Sequence, residues 1–177
     1  MADKPKLGVI LLNLGTPDEP STGAIRRYLA EFLSDPRVVN LPRWLWLPIL
    51  YLIILNTRPA KLVAKYESIW GRKEAPLRAI SEALARRSET ELENQLNPGQ
   101  VIVRSAMTYG SPSVEEVVNH IEKLGVEHYL FLPLFPQYSS ATVGACLDSI
   151  ARTFKNSVTV PPSRFISGYH DKDSYID

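Results

Sequence analysis

The chain alternates short, mainly apolar segments with segments of helical periodicity, and this alternation limits the fold more than any other feature. The predicted strands cover residues 7–14, 101–107 and 126–135, and a shorter one covers 164–166. The almost uninterrupted apolar run at residues 7–14 is typical of a strand that is covered on both faces. The alternation therefore predicts an α/β fold with a four-stranded parallel sheet and helices on both faces.

Two of the predicted strands end in the same kind of turn. Residues 14–17 read Leu-Gly-Thr-Pro and residues 109–112 read Tyr-Gly-Ser-Pro. Glycine permits a tight turn, and proline suits the first position of the helix that follows. Parallel α/β folds bind ligands at the carboxyl ends of their strands. The expected ligand segments are therefore residues 13–17, 108–112 and 136–145.

Two of the predicted helices carry specific signals. Residues 113–125 combine a Ser113–Glu116 capping box, an apolar face and a closing Gly125. A long surface helix that stops at residues 97–99 is predicted from the spacing of Leu77, Ile80, Leu84, Leu92 and Leu96.

A window without acidic residues separates the first helix from the long surface helix. Between Asp35 and Glu67 there are five basic residues, and residues 44–55 within it carry no charge. This run holds two tryptophans and a tyrosine, is interrupted by Pro48, and is shorter than the roughly 20 residues of a membrane span. It predicts a helix that is either buried in the core or exposed at a bilayer surface or against a flat anion. We call residues 41–58 the apolar lip.

Composition excludes several classes of protein. The 177 residues are 45% hydrophobic and 22% charged with a net charge of +1, so neither disorder nor a basic nucleic-acid surface is expected. The single cysteine, Cys146, permits no internal disulfide and no cysteine-based metal site, and the three histidines lack metal-ligand spacing. There is no G-x-G dinucleotide motif. The first residues lack the pattern of a secretory signal, which predicts a cytoplasmic location.

Residues 136–144 are the most polar of the predicted strand ends. A helix cap explains Thr142 but not the amide, phenol and two hydroxyls at positions 137–140, which favours a ligand loop. Together with Tyr66, Tyr109, the nearby cations and the lip, this loop predicts a large flat ligand with negative charge at its edge.

The same segments resemble the ferrochelatase family. Residues 11–17, Leu-Leu-Asn-Leu-Gly-Thr-Pro, resemble the family's opening strand motif, and residues 132–144 resemble its most distinctive internal block. Residues 28–39, 64–70 and 107–113 are similar to further segments in the family's order. The resemblance covers essentially the whole chain.

The resemblance implies an activity and an architecture. Family members are lyases that insert ferrous iron into protoporphyrin IX, the last step of protoheme (heme) biosynthesis, in a cleft between two similar parallel-sheet domains. Residues 1–177 would then be the N-terminal domain, a flavodoxin-like, chelatase-like half that binds porphyrin, without the C-terminal catalytic domain. The implied partners are protoporphyrin IX and Fe²⁺ as substrates, with no covalently bound cofactor and no nucleic acid.

The resemblance also implies six porphyrin-binding residues: Leu14, Arg58, Tyr66, Tyr109, Ser139 and Ser140. Leu14 would lie against the macrocycle face near the metal position, and Arg58 would hold the porphyrin edge. The lip corresponds to an apolar mouth through which porphyrin enters, which implies peripheral membrane association through residues 44–55.

Three departures from the family pattern limit what this chain is expected to do. The family's G-G-S-P turn reads Arg-Lys-Glu-Ala-Pro at residues 72–76, so the serine contact expected at Ala75 is lost. Ser140 stands where some members carry a cluster-ligating cysteine, so no iron–sulfur cluster is expected. The catalytic S-x-H-G-[IL]-P motif and its acidic partner are missing, and His170 does not match it. We therefore assign no catalytic residue and no metal ligand, and expect the chain alone to be inactive.

Two alternatives remain open at this stage. One is a non-enzymatic flavodoxin-like domain that binds porphyrin or serves as a scaffold. The other is a related chelatase for cobalt or nickel, whose usual signature is metal-binding histidines near strand ends, a pattern that the three histidines do not fit.

Overall fold

The structure, a computed structural model, describes residues 6–71, 74–96 and 98–176, so Arg72 and Lys73 of the altered family turn lie outside the described residues. The strands are β1 (Lys6–Gly15), β2 (Val101–Tyr109), β3 (Val126–Pro133) and β4 (Ser163–Phe165). The helices are α1 (Thr22–Ser34), α2 (Arg43–Ile49), α3 (Leu55–Ile69), α4 (Pro76–Gln95), α5 (Val114–Glu122), α6 (Ala145–Phe154) and α7 (Asp173–Ile176). Two π-helical segments, Leu50–Ile54 and Ser140–Gly144, directly precede α3 and α6.

The four strands form one parallel sheet in the order β2-β1-β3-β4, which confirms the predicted fold class. The pairing of β1 with β3 ends at Leu12 opposite Pro133, and β4 reaches its partner strand at Phe165 opposite Phe131. β2 is an edge strand, so its outer backbone groups need partners other than a neighbouring strand.

The described chain divides into two compact units. Unit 1 comprises Met1–Leu14, Ser81–Thr108 and Pro112–Asp177, and unit 2 comprises Gly15–Ile80 and Tyr109–Ser111. That residues 1–177 form one N-terminal chelatase domain stays a prediction.

Unit 1 has a core on each face of the sheet, because successive residues of a strand point to opposite faces. Ile10 and Leu12 of β1 belong to a cluster that α5 and α6 cover, with Val117 and Ile150 among its members. Val9 and Leu11 belong to the opposite cluster, which contains Ala85 of α4. Helices therefore cover both faces, as the sequence predicts.

In unit 2, α1 packs against α3, and its start and end are both fixed by hydrogen bonds. The Ser21 hydroxyl accepts a bond from the Ala24 N–H at 3.2 Å, as expected of an N-cap. At the other end, the indole Nε1 of Trp46 donates to the Leu33 carbonyl at 2.7 Å, which ties α2 to the last turn of α1.

The apolar lip is a helix, as predicted, but the interpretation that it is buried in the core is wrong. α2, the first π-helical segment and α3 form one continuous helix of 27 residues, Arg43–Ile69, and 17% of its most apolar window is buried. By length and composition alone this helix could cross a membrane. The twelve uncharged residues of the sequence therefore underestimate the length of the helix. Trp44 and Leu52 are 78% and 72% exposed.

The first π-helical segment explains how the lip stays exposed. Leu50 and Leu55 are both buried although they lie five positions apart, which matches the wider π turn. The Asn56 side chain donates to the Tyr51 and Leu52 carbonyls at 3.1 and 2.9 Å, on the turn that follows. Tyr51, Leu52 and Ile53, which lie between the two buried leucines, are exposed.

The predicted apolar face of α4 is wrong at Ile80 and Leu84, which are exposed, whereas Leu92 packs against the core cluster that contains Val9 and Leu11. The buried residues of the helix are Ser81 and Ala85. The cause is an anchor at the sheet edge: the Glu89 carboxylate accepts hydrogen bonds from the Val103 N–H and from the Arg104 side chain, each at 2.6 Å. This anchor turns the small residues of α4 toward the sheet.

Candidate functional site

The two turns that follow β1 and β2 meet in unit 2. Gly15 and Gly110 have φ angles of +112° and +79°, values that favour glycine. A Cβ atom at Gly110 would lie 2.9 Å from the Thr16 carbonyl oxygen, so the turns are in close backbone contact. Both turns therefore need glycine for its backbone conformation. Gly110 also needs the absence of a side chain, because the Thr16 carbonyl lies so close.

Helix α1 holds both turns. The Gly110 N–H donates to a Glu31 carboxylate oxygen at 2.8 Å, and the Tyr28 hydroxyl donates to the Gly15 carbonyl at 3.2 Å. Burial raises the pKa of Tyr28 well above its ordinary value, and the neighbouring Tyr66 and Glu31 raise it further. The phenol therefore stays neutral and keeps donating to the turn at any physiological pH.

Tyr109 is placed inside unit 2 and not on its surface. Its side chain is 1% exposed, and its hydroxyl donates to the buried carboxylate of Asp35 at 2.9 Å. The other Asp35 oxygen accepts the Arg37 N–H at 2.7 Å, and Phe32 meets the Tyr109 ring edge-on at 5.3 Å. The ring thus braces the second turn from within.

Tyr66 and Arg58 lie on α3, in the part of unit 2 that continues the lip. Arg58 is exposed, and Tyr66 is half-buried with its ring edge-on to Trp70 at 6.5 Å. Burial raises the pKa of Tyr66, so its phenol is a neutral hydrogen-bonding group. The eight-residue spacing separates the two along the helix axis by roughly 12 Å at 1.5 Å per residue.

Leu14, Ser139 and Ser140 belong to unit 1. Leu14 is half-buried at the carboxyl end of β1, where the Asn13 side chain accepts its N–H at 2.9 Å. Ser139 and Ser140 are exposed, and the Ser139 carbonyl accepts the Gly144 N–H at 3.1 Å across the second π-helical segment. π-helical turns are rare overall, and those that occur are often found at functional sites. That this loop binds a ligand stays a prediction.

The groups that brace the strand ends were missed by the sequence analysis. From the sequence, Asp35 is only the border of the window without acidic residues, and Asn13 and Thr108 are only members of the expected ligand segments. In the structure the Thr108 hydroxyl donates to the Asn13 carbonyl at 3.1 Å. The one local signal was the acidic residue Asp35 at the C-terminal end of α1, where the helix dipole disfavours a carboxylate that has no specific partner.

The histidines do not gather at a metal site. His120 is exposed on α5, His128 is half-buried on β3, and His170 is exposed with its N–H donating to the Pro136 carbonyl at 3.1 Å. Across residues 6–71, 74–96 and 98–176, no three His, Cys, Asp or Glu side chains come together in a group that could hold a metal ion.

α/β proteins with a parallel sheet bind their ligands at the carboxyl ends of the strands. Comparison with known proteins identifies the family. Residues 6–177 match the ferrochelatase family. The chain belongs to that family.

Individual relatives agree across species. The chain is 49% identical over 175 residues to the ferrochelatase of Shewanella denitrificans, covering 97% of this chain and 52% of that protein. It is 46% identical to the ferrochelatase of Methylibium petroleiphilum, covering 97% and 47%, and 44% identical to that of Haemophilus influenzae, covering 100% and 54%. The chain spans about half the length of the curated relatives it matches.

Proposed function

We propose that this chain supplies the porphyrin-binding residues for insertion of ferrous iron into protoporphyrin IX. The observation that carries the proposal is the exposed lip beside an exposed cation: Trp44, Leu52 and Arg58 lie on one continuous helix. A planar apolar ring with carboxylates at its edge needs an apolar surface for its face and a guanidinium for its edge. Iron is a substrate in this scheme.

The six residues implied by the resemblance have different proposed roles. Leu14 contacts the ring face, Arg58 pairs with an edge carboxylate, and Tyr66 offers a neutral phenol. Ser139 and Ser140 offer hydroxyls from an exposed loop. Because the Tyr109 ring is buried, we assign Tyr109 to bracing the turn at Gly110 and not to direct contact.

Replacing Arg58 by alanine is expected to weaken protoporphyrin IX binding roughly fivefold, because an exposed guanidinium–carboxylate pair contributes on the order of 1 kcal/mol. Titration of the chain with protoporphyrin, followed by the Soret band, measures the dissociation constant. Arg152→Ala is the matched control: it removes an exposed arginine in the last turn of α6 and is expected to leave binding unchanged. Equal affinity of Arg58→Ala and the wild-type chain would contradict the assigned role.

We further propose that the lip rests on a membrane surface and that the protein is cytoplasmic with peripheral attachment. The exposed apolar side of residues 44–53 is flanked by exposed Arg43, Arg58 and Lys61, a combination that suits an anionic bilayer surface. A lying helix is favoured over a spanning one because α3 packs against α1 and carries the cations within its own length.

The change Leu52→Glu is expected to lower the affinity for vesicles of phosphatidylglycerol and phosphatidylcholine at least tenfold. Burial of a leucine side chain is worth roughly 1.5–3 kcal/mol, and a carboxylate adds repulsion from anionic lipid. Sedimentation of the chain with vesicles gives the partition coefficient. Val158→Glu, at a fully exposed site that is not part of the lip, is the control; similar losses in both variants would argue against a lip-specific contact.

We propose that this chain holds no iron–sulfur cluster. A cluster requires several thiolates, and Cys146 is the one cysteine of the sequence. Its thiol is buried in unit 1 and lies 3.1 Å from the Thr108 hydroxyl, and burial raises its pKa. It is therefore a protonated, internally bonded thiol.

A further inference from the structure

A chain of hydrogen-bonded polar groups, three buried and one half-buried, surrounds the carboxyl end of β1 in unit 1. Its members are Asn13, Ser81 of α4, Thr108 of β2 and Cys146 of α6. Ser81, Thr108 and Cys146 are 2%, 4% and 0% exposed, although the strand end otherwise consists of apolar core. Buried polar groups that are hydrogen-bonded to one another specify a single arrangement. This cluster is therefore expected to hold the backbone at the end of β1 in one conformation.

What the cluster fixes is one peptide group. The ladder between β1 and β3 ends where the Leu134 N–H donates to the Leu12 carbonyl at 2.8 Å. In the next peptide, Thr108 donates its hydroxyl to the Asn13 carbonyl at 3.1 Å, and the Asn13 side-chain oxygen accepts the Leu14 N–H at 2.9 Å. Side chains thus bind both the C=O and the N–H of the Asn13–Leu14 peptide, which lies beyond the last hydrogen bond between β1 and β3.

The donors and acceptors of the cluster have one consistent assignment. Because the Asn13 oxygen accepts the Leu14 N–H, its Nδ2 is free to donate to the Ser81 hydroxyl at 3.3 Å. The Thr108 hydroxyl has a single hydrogen, which goes to the Asn13 carbonyl, so the Cys146 S–H must donate to Thr108. Burial raises the pKa of the Cys146 thiol and keeps that hydrogen in place.

We propose that Asn13 is a positioning residue, with Thr108 as its partner, that sets where the Leu14 side chain meets the porphyrin face. The inference rests on the proposed function, since it requires that Leu14 contact the ring. Neither Asn13 nor Thr108 touches porphyrin in this scheme. Both act through the orientation of the Leu14 backbone, which determines the direction of its Cβ.

A double-mutant cycle on the 177-residue chain tests the coupling. Leu14→Ala and Asn13→Ala are each expected to raise the protoporphyrin dissociation constant about tenfold, and the double variant is expected to match Leu14→Ala alone. Without the Leu14 side chain there is nothing left for Asn13 to position. Additive losses, or an unchanged constant for Asn13→Ala, would overturn the proposal.

Thr108 keeps the proposal testable if Asn13→Ala does not fold. Thr108→Val removes the hydroxyl at nearly constant volume and is expected to weaken binding in the wild-type background but not beside Leu14→Ala. Thr108→Ser keeps the hydroxyl and should restore wild-type affinity. A merely structural role would lower the melting temperature of Thr108→Val without this dependence on Leu14, and that result refutes positioning.

The cycle also separates this inference from the proposed function. Absence of porphyrin binding by the folded wild-type chain, or an unchanged affinity of Leu14→Ala, would count against the proposed function itself. Wild-type binding that Leu14→Ala weakens, together with additive effects of Asn13, would leave that function standing and refute only the positioning role.

Discussion

Replacing Gly110 by alanine is expected to unfold unit 2 at temperatures where the wild-type chain is stable. A non-glycine residue at a φ of +79° costs about 1–2 kcal/mol, and the new Cβ would lie 2.9 Å from the backbone oxygen of Thr16, which cannot move without breaking the turn. We expect a total loss of roughly 3 kcal/mol or more. All three tryptophans lie in unit 2, so thermal unfolding followed by tryptophan fluorescence reports on the affected region.

Gly125→Ala provides the matched control for Gly110→Ala. Gly125 has a φ of +83°, nearly the same backbone conformation, but no atom lies within 4 Å of a Cβ placed there. This variant should lose only the conformational part, about 1–2 kcal/mol, when unfolding is followed by far-ultraviolet circular dichroism. Equal losses in both variants would show that the contact between the two turns contributes nothing.

The fold was predictable where local pattern and burial agree. Apolar runs at residues 7–14 and 101–107 correspond to β1 and β2, because strands buried on both faces leave no polar alternation to confuse the pattern. The capping box of α5 was also predictable, and the structure contains both of its hydrogen bonds, from the Ser113 and Glu116 backbones at 2.7 and 3.2 Å.

Two elements were not predictable from apolar spacing, one because a contact with another element orients it and one because its helical turn is irregular. The rotation of α4 depends on Glu89 binding the backbone of Val103, fourteen positions away in another element. The exposure of the lip depends on a π-helical turn that sets Leu50 and Leu55 on one buried side. Apolar spacing alone assumes the regular 3.6-residue turn and therefore assigns the wrong residues to the core.

The candidate site likewise contains residues that local sequence identifies and residues whose place depends on distant contacts. Ser139 and Ser140 stood out because their polar loop exceeds what a helix cap requires, and both are exposed. Tyr109 was expected to contact the ligand, but its partner Asp35 is 74 positions away and draws the ring into the core. Thr108 and Asn13 are 95 positions apart, so nothing local signals the bond that joins them.

We expect the 177-residue chain to bind protoporphyrin IX without inserting metal. Metal insertion requires a base that takes two pyrrole N–H protons. Among the proposed contacts, a guanidinium such as that of Arg58 offers only donors, burial raises the pKa of Tyr66, and the serine hydroxyls have no assigned base beside them. These groups can bind and orient the ring, but none of them accepts protons near neutral pH.

Anaerobic assays with Fe²⁺, and parallel assays with Zn²⁺ followed by porphyrin fluorescence, measure insertion directly. The Shewanella denitrificans ferrochelatase, 49% identical to this chain, serves as the active comparison under the same conditions. Soret titration of the same preparation must show porphyrin binding. The absence of turnover then results from the lack of a catalytic base and not from a failure to bind porphyrin. Insertion within about tenfold of the comparison enzyme would mean that a residue of this chain is the base, and His170, held at the Pro136 carbonyl, would be the first to replace with alanine.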